Sequence, residues 1–496
     1  MAARLVDLVS RFGSPRVVLA GDFMLDRYLF GSTDRVSPEA PIPVLRFKRE
    51  ESRLGGAGFV LAGLATLGAS VAALGVCGDD SSGKAMCHKI AGYGANTSGL
   101  ITTGRPTVEK VRLLGSSEDR TAQQMIRLDI EETGPIDSET EDRLFHAAEH
   151  AFDDADLVCI EDYNKGVLTE SFTQRLIAMA KSRGLRVLVD PARLNDYSKY
   201  RGATLIKMNR PEAEKASGLP VRDAETAKAA AEKLLDVLDL QAVVITMNDK
   251  GSYLATRDGR SELLASRPRQ VADATGAGDM VLTALAMASA AGADWHEAVE
   301  LANVVGGLEV EKLGCVPITR DEIINDIFSE QRNAGGKERD ADSLIAELAV
   351  HRRAGRRIVF TNGCFDLIHL GHVKYFQFAK AQGDVLVVGV NTDDSISRLK
   401  GPKRPVVNEH DRVGVLEELE SIDYLIRFDT DTPLDLIKTV SPDVLVKGAD
   451  YAKEQVVGWD YVESLGGHVA LAPLIDGRST SSVIRRILDA YGNGEG

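Results

Sequence analysis

Cysteine is scarce and unpaired in this chain. Five residues, at positions 77, 87, 159, 315 and 364, are scattered without a CxxC spacing. An odd, dispersed set argues against a disulfide framework and a thiolate zinc site, and fits a reducing compartment. Long apolar runs are missing as well: none approaches the ~18 residues of a membrane span. The opening stretch MAARLVDLVSRFGSPRVVLAGDF has no unbroken apolar core before a small-residue cleavage site. The mature protein is therefore expected to begin near Met1 and to be cytoplasmic. Positive charge is in deficit, with a net charge of -15, which opposes nucleic acid or an anionic membrane as partner. Small anionic substrates remain open wherever Lys, Arg and backbone amides gather locally. There is no fixed-period repeat and no low-complexity tract.

What is present is a globular α/β pattern. At 496 residues the chain exceeds one ordinary core. Apolar runs RVVLAGD, ADLVCIED, LRVLVDP, ATLIKMN and QAVVITM alternate with amphipathic stretches such as 138–151 and 224–238. That alternation predicts a mainly parallel sheet covered on both faces. PIPVLRFK and TVEKVRLL…QQMIRLD instead alternate apolar and polar residues, so a small separate sheet is expected beside the main one. A polar, charged stretch then predicts a boundary, giving domains at 1–328 and 342–496 with a linker at 329–341. Beyond it the α/β rhythm resumes, with strands RRIVFTNG, DVLVVGVN, DYLIRF, DVLVKG and HVALAP, and helices including 481–491.

Two stretches carry chemistry. In DATGAGDM, Gly276, Ala277 and Gly278 leave backbone N–H groups uncovered at a helix start, where they can cradle a phosphoryl group. Asp279 at that point could take the proton of an attacking hydroxyl. The octapeptide alone equally fits a glycine-rich turn with Asp in a helix's first turn. GDDSSGKA imitates a P-loop, but Ala85 stands where a hydroxyl should reach Mg²⁺, and Asp79 and Asp80 would face the phosphates. The second stretch, NGCFDLIHLGHVKYF, places His369 and His372 where a strand turns into a helix. Zinc would need further ligands, with Cys364 the one candidate nearby. Surface histidines are disfavoured at a helix start unless an anion binds. Imidazole and amide donors around one spot suit the α-phosphate of a nucleotide under attack.

Residues 1–325 resemble the ribokinase-like (PfkB) sugar kinases through GDFMLD, GGAG, GVCGDDSSG, NRPE and GAGD, in that order. The resemblance implies Asp279 as base and sugar contacts from Asp26, Gly55 and Gly56. It places ATP on the segment Asn209, Arg210, Pro211 and Glu212, with Mg²⁺ at Glu212, and makes the small sheet a lid that also serves a homodimer. Two departures bear on the sugar site: Phe59 stands near the usual Asn, and Ala192 where relatives often have Lys. Residues 355–490 resemble the nucleotidyltransferases of cytidylyltransferase type through GCFDLIHLGH, VNTD, LKGPKRP, VKGADY and RSTSSVI. That resemblance implies a Rossmann-like domain with His369 and His372 catalytic. Its nucleotide contacts would be Gly363, Cys364, Phe365, Asp366, Asn391, Asp393, Arg412, Lys447, Ser479, Thr480 and Ser481.

The ordered pair resembles the bifunctional heptose kinase/adenylyltransferases of Gram-negative bacteria. This implies ATP and Mg²⁺ at work on sugar phosphates. The kinase would turn D-glycero-β-D-manno-heptose 7-phosphate into the 1,7-bisphosphate. After a separate phosphatase, heptose 1-phosphate would become ADP-heptose for the lipopolysaccharide core. The alternative is a nucleotidyltransferase for another sugar or alcohol phosphate carrying a non-catalytic dimerisation domain. Lys110, Arg112 and Lys165 are left between sugar phosphate and solvent.

Overall fold

The computed structural model describes residues 2–116, 123–353, 355–449, 452–473 and 486. The chain forms two compact units, residues 11–324 and residues 1–10 with 325–496.

In the first unit nine strands make one sheet, in the order 261–264, 252–256, 242–246, 205–209, 186–190, 157–161, 16–21, 70–78, 96–103. All neighbours are parallel except the two hairpin strands at the first edge. The central strands Leu157–Glu161 and Arg186–Asp190 are apolar because helices cover both faces. A separate four-stranded sheet runs in the order Pro43–Gly56, Phe23–Val36, Val108–Ser116, Gln123–Ile130. The 14-residue strand Phe23–Val36 joins the expected lid strands and carries Asp26. The P-loop lookalike is a strand-to-helix turn. Asp80 caps helix Ser81–Gly92 by accepting from the Gly83 N–H at 2.7 Å, and it also holds Thr107. Its carboxylate is thereby occupied.

The second unit is a five-stranded parallel sheet ordered Tyr424–Phe428, Val385–Asn391, Ile358–Gly363, Val444–Gly448, His468–Ala472. Order reverses between Ile358–Gly363 and Val444–Gly448, which is where open sheets of this kind leave a crevice beyond the strand ends. Helix Ala2–Ser10 packs here, with Leu5, Val6, Leu8 and Val9 buried and Asp7 paired to Arg353 at 3.3 Å. Residues 329–341, expected as a linker, are not free chain. Helix Arg320–Gly335 runs through the first part. Lys337 and Glu338 then donate backbone N–H groups to Glu417 at 2.8 and 3.1 Å. Polar side chains of this stretch are engaged too: Lys337 donates to the Leu419 carbonyl and Arg339 to Glu347, each at 2.8 Å.

Candidate active sites for phosphoryl and nucleotidyl transfer

Helix Ala277–Ala290 begins at Gly276, whose φ of 97° is left-handed and favours glycine. A Cβ at Gly276 would stand 2.5 Å from the Phe59 ring, and one at Gly278 would stand 2.7 Å from Lys207 Nζ. Gly276 is therefore required by its backbone angle and by close approach, a side chain at 278 would displace the Lys207 ammonium, and the turn's amides stay uncovered. Phe59 is buried beneath this turn, a packing position rather than a sugar contact.

Asp279 is buried in the first turn and accepts a hydrogen bond from the Tyr163 hydroxyl at 2.8 Å. Burial, and then the charge of Asp190, push its pKa up to about 7. Tyr163, Lys207 and Lys110 pull the other way. A carboxyl poised near neutrality suits a general base. Glu161, Asp190 and Asp279 bring oxygens within 4.8 Å of one another, all buried. Burial drives the Glu161 and Asp190 carboxyls above their ordinary range; the charges of Asp190 and Asp279 add to it at Glu161, while at Asp190 Lys207 opposes it and Asp162 adds to it. Lys207 pairs with Asp190 at 2.5 Å. Burial pulls this ammonium down, but Asp190 and Glu161 outweigh it and leave Lys207 above the usual lysine range. The cation absent at Ala192 thus has a counterpart on the neighbouring strand. Glu309 is a further buried carboxyl near Gly276. Among the described residues its oxygens have no hydrogen-bond partner, and burial, with Asp279 and Asp273, lifts it to about 8.

Tyr163→Phe should move the acid limb of kinase turnover to higher pH by about one unit. The hydroxyl stabilises the charged carboxylate, so its loss raises the Asp279 pKa. A pH–rate profile that does not move would contradict this role.

Asp26, on the lid, is buried and paired with Arg112 at 2.7 Å. Its carboxylate lies against Gly55, where a Cβ would be 2.7 Å away, and Gly56 has φ 53°. These three predicted sugar residues are together. Asn209 caps helix Arg210–Ser217 in a reciprocal capping box with Glu212, and Pro211 sits in the first turn. Arg210 is turned away to the carbonyl of Val221 at 2.9 Å. The NRPE segment is thus first a helix start, with Glu212 facing Asp190 electrostatically.

In the second unit the predicted residues gather at strand ends: Gly363, Asn391 and Lys447 each lie at or next to the carboxyl end of a parallel strand. Lys447 donates to the Asn362 side chain at 2.6 Å, across the point where strand order reverses. His369 is the N-cap of helix Leu370–Lys380. Its ring stacks on that of His372, with centroids 4.0 Å apart. Burial, then His369 and Lys400, lower His372 to about 4, so the ring is neutral at pH 7 and donates through one N–H. The effect of Lys400 shows that LKGPKRP lies within electrostatic reach of the histidines.

Four of the predicted nucleotide residues also have partners within the protein. Arg412 is fully buried, and its guanidinium donates to the carbonyls of Cys364, Asn391 and Val407 and to Asp393 at 2.5–3.0 Å. It clamps the strand ends and holds Asp393. Asp366 accepts from Arg404 and from the N–H groups of Val406 and Val407 at 2.7–2.9 Å, tethering the 404–407 loop. Phe365, at φ 45°, packs edge-on to His372 at 5.6 Å and fills the space a Cβ at Gly363 would need. Cys364 sits 4.0 Å from the Asn391 side chain. Ser479, Thr480 and Ser481 lie outside the described residues.

Comparison with known proteins falls on the same two regions. The pattern of the pfkB family carbohydrate kinase matches residues 14–321, and the cytidylyltransferase-like pattern matches 360–481. The bifunctional protein HldE of Syntrophotalea carbinolica is 44% identical over 489 residues, covering 98% of this chain and 99% of that one. HldE of Geobacter sulfurreducens is 43% identical over 486 residues, 98% of each. The chain belongs to the HldE family. Its activities are accordingly those of a bifunctional heptose kinase and adenylyltransferase of ADP-heptose synthesis, both using ATP. In fold, Escherichia coli phosphofructokinase-2 in its tetrameric inhibited form matches 64% of the chain at TM-score 0.53 and 16% identity, covering all (100%) of that chain. Arabidopsis thaliana ribokinase with ribose and ATP matches 63% at TM-score 0.50 and 19% identity, covering 99% of its own length.

Against this HldE framework, Tyr163, Lys207 and Glu161 are the site groups that sequence reasoning missed. The EDYNKG segment was a signal for Glu161 and Tyr163. Nothing local marked Lys207, which reaches the site only through strand pairing. Among the described residues, no helix is long and apolar enough to cross a membrane.

Proposed function

We propose that residues 1–328 phosphorylate D-glycero-β-D-manno-heptose 7-phosphate at O1. The carrying observation is the Asp279 carboxyl, held by Tyr163 beside an uncovered glycine turn and poised at about 7. Asp279 takes the O1 proton as the sugar oxygen attacks the γ-phosphorus of ATP, while the Gly276–Gly278 amides and Lys207 meet the negative charge. Asp26, Gly55 and Gly56 hold the sugar, and the Asn209–Glu212 segment lies on the nucleotide side. The residues fit a divalent cation: three buried carboxyls, Glu161, Asp190 and Asp279, converge, and Glu161 Oε2 has no hydrogen-bond partner among the described residues. Asp190 and Glu161 would hold Mg²⁺ there, with Glu212 within electrostatic reach of Asp190 on the nucleotide side, and the ion would screen charge on the ATP phosphates.

Residues 342–496 then join heptose 1-phosphate to AMP. A phosphate oxygen of the sugar attacks the α-phosphorus of ATP, and pyrophosphate leaves. His369 and His372 donate to the added charge, with Lys447 and the proposed Ser479–Ser481 segment on the nucleotide. A separate phosphatase must remove the 7-phosphate between the two steps, and the setting is cytoplasmic. The experiment is direct: the whole chain with ATP and heptose 7-phosphate should release ADP and a 1,7-bisphosphate. Absence of ADP would leave the first unit a dimerisation module.

The chain is also proposed to form a homodimer through the lid. Ile126, Leu128 and Ile130 share one face of the edge strand Gln123–Ile130 by register and are 37–59% exposed. Sedimentation should give a dimer mass, and Leu128→Glu a monomer. A wild-type monomer would contradict this.

A further inference from the structure

Three cations converge on the inner face of the lid sheet, and one of them differs from the others. Register sets Lys110 beside Asp26 and Arg112 beside Tyr28 on the parallel pair, so all four side chains project to one face. Arg112 is paired with Asp26 and Lys165 with Glu131, each at 2.7 Å. Lys110 has no carboxylate within 4.0 Å among the described residues. Its half-buried ammonium instead stands 4.6 Å from the ring centre of Tyr163, the residue whose hydroxyl holds Asp279.

The electrostatics agree with this geometry. Burial lowers the Lys110 pKa, Asp26 and Asp279 resist, and repulsion from Arg112 and Lys165 lowers it further. A desolvated ammonium crowded by two other cations is a place that an anion stabilises. The phosphoryl group in transfer already has donors of its own, the turn amides and Lys207, which lie by Gly278 on the helix side. Lys110 instead reaches in from the strand beside Asp26, on the sugar side.

We propose that Lys110, with Lys165 beside it, binds the phosphate ester already carried by the sugar, and so selects a phosphomonoester dianion over an unphosphorylated sugar. This rests on the kinase reading above.

The test uses the whole chain and compares heptose 7-phosphate with heptose lacking that phosphate. Lys110→Met is expected to lower kcat/KM for the phosphorylated sugar about a hundredfold, mainly through KM. The preference for phosphorylated over unphosphorylated sugar should shrink by the same factor. Lys110→Arg should restore part of it, which a merely structural role would not give. Adenylyl transfer from heptose 1-phosphate serves as the control for intact protein. An equal loss on both sugars would overturn the proposal in favour of a common catalytic step, and no loss on either would overturn it outright. A wild-type chain that fails to phosphorylate heptose 7-phosphate would instead defeat the kinase reading itself.

Discussion

Asp279→Asn is expected to lower kinase turnover about a thousandfold while adenylyl transfer from heptose 1-phosphate continues at the wild-type rate. The size follows from losing the proton acceptor while the glycine turn and Lys207 remain. The same change should stabilise the fold, in a pH-dependent way. In the folded chain the Asp279 pKa is about 7, against an ordinary 3.8. As pH rises through that window the folded state keeps a proton that the unfolded chain has lost, so ionising the buried site costs stability. Below the window both states are protonated and Asn confers little. Above it the cost is complete, and Asn removes it. The melting temperature of Asp279→Asn should therefore exceed that of wild type by more at pH 8 than at pH 5. An equal shift at both would mean that Asp279 ionises freely and is not the strained base described.

His372→Ala should produce the opposite selectivity, with adenylyl transfer down about a hundredfold and kinase turnover intact. His372 stacks on His369 and is flanked by Phe365, so removing either histidine also loosens the other. His369→Ala should fall by a similar factor, and the double variant by less than the product of the two, as expected for groups acting as a unit. Steady-state assays of both half-reactions on each variant check this. A kinase loss matching the transferase loss would point to misfolding instead.

Much of the fold could be read in the sequence because parallel strands buried on both faces are continuous apolar runs. Leu157–Glu161, Arg186–Asp190 and Val385–Asn391 are of that kind. Phe23–Val36 was harder to read. It mixes Asp26, Arg27 and Asp34 into apolar sequence because it starts buried, where Asp26 pairs with Arg112, and ends exposed. Short-range chemistry was legible for the same reason turns are: GAGD and HLGH fix their own backbone within a few residues. Groups assembled by strand pairing, such as Lys207 beside Asp190 or Lys110 beside Asp26, leave no local signature. Nor does sequence reveal which way a charge faces. Arg412 and Asp366 look like phosphate and nucleotide contacts in the motif, yet both are engaged in holding strand ends and a loop.

The chain is proposed to perform two steps separated by a third that it does not catalyse. A coupled assay of the whole chain with heptose 7-phosphate and excess ATP tests it most directly, read by chromatographic detection of ADP-heptose with and without an added heptose bisphosphate phosphatase. Heptose 1,7-bisphosphate alone is expected without the phosphatase, and ADP-heptose with pyrophosphate when it is present. ADP-heptose formed without any phosphatase, or none formed with it, would contradict the account.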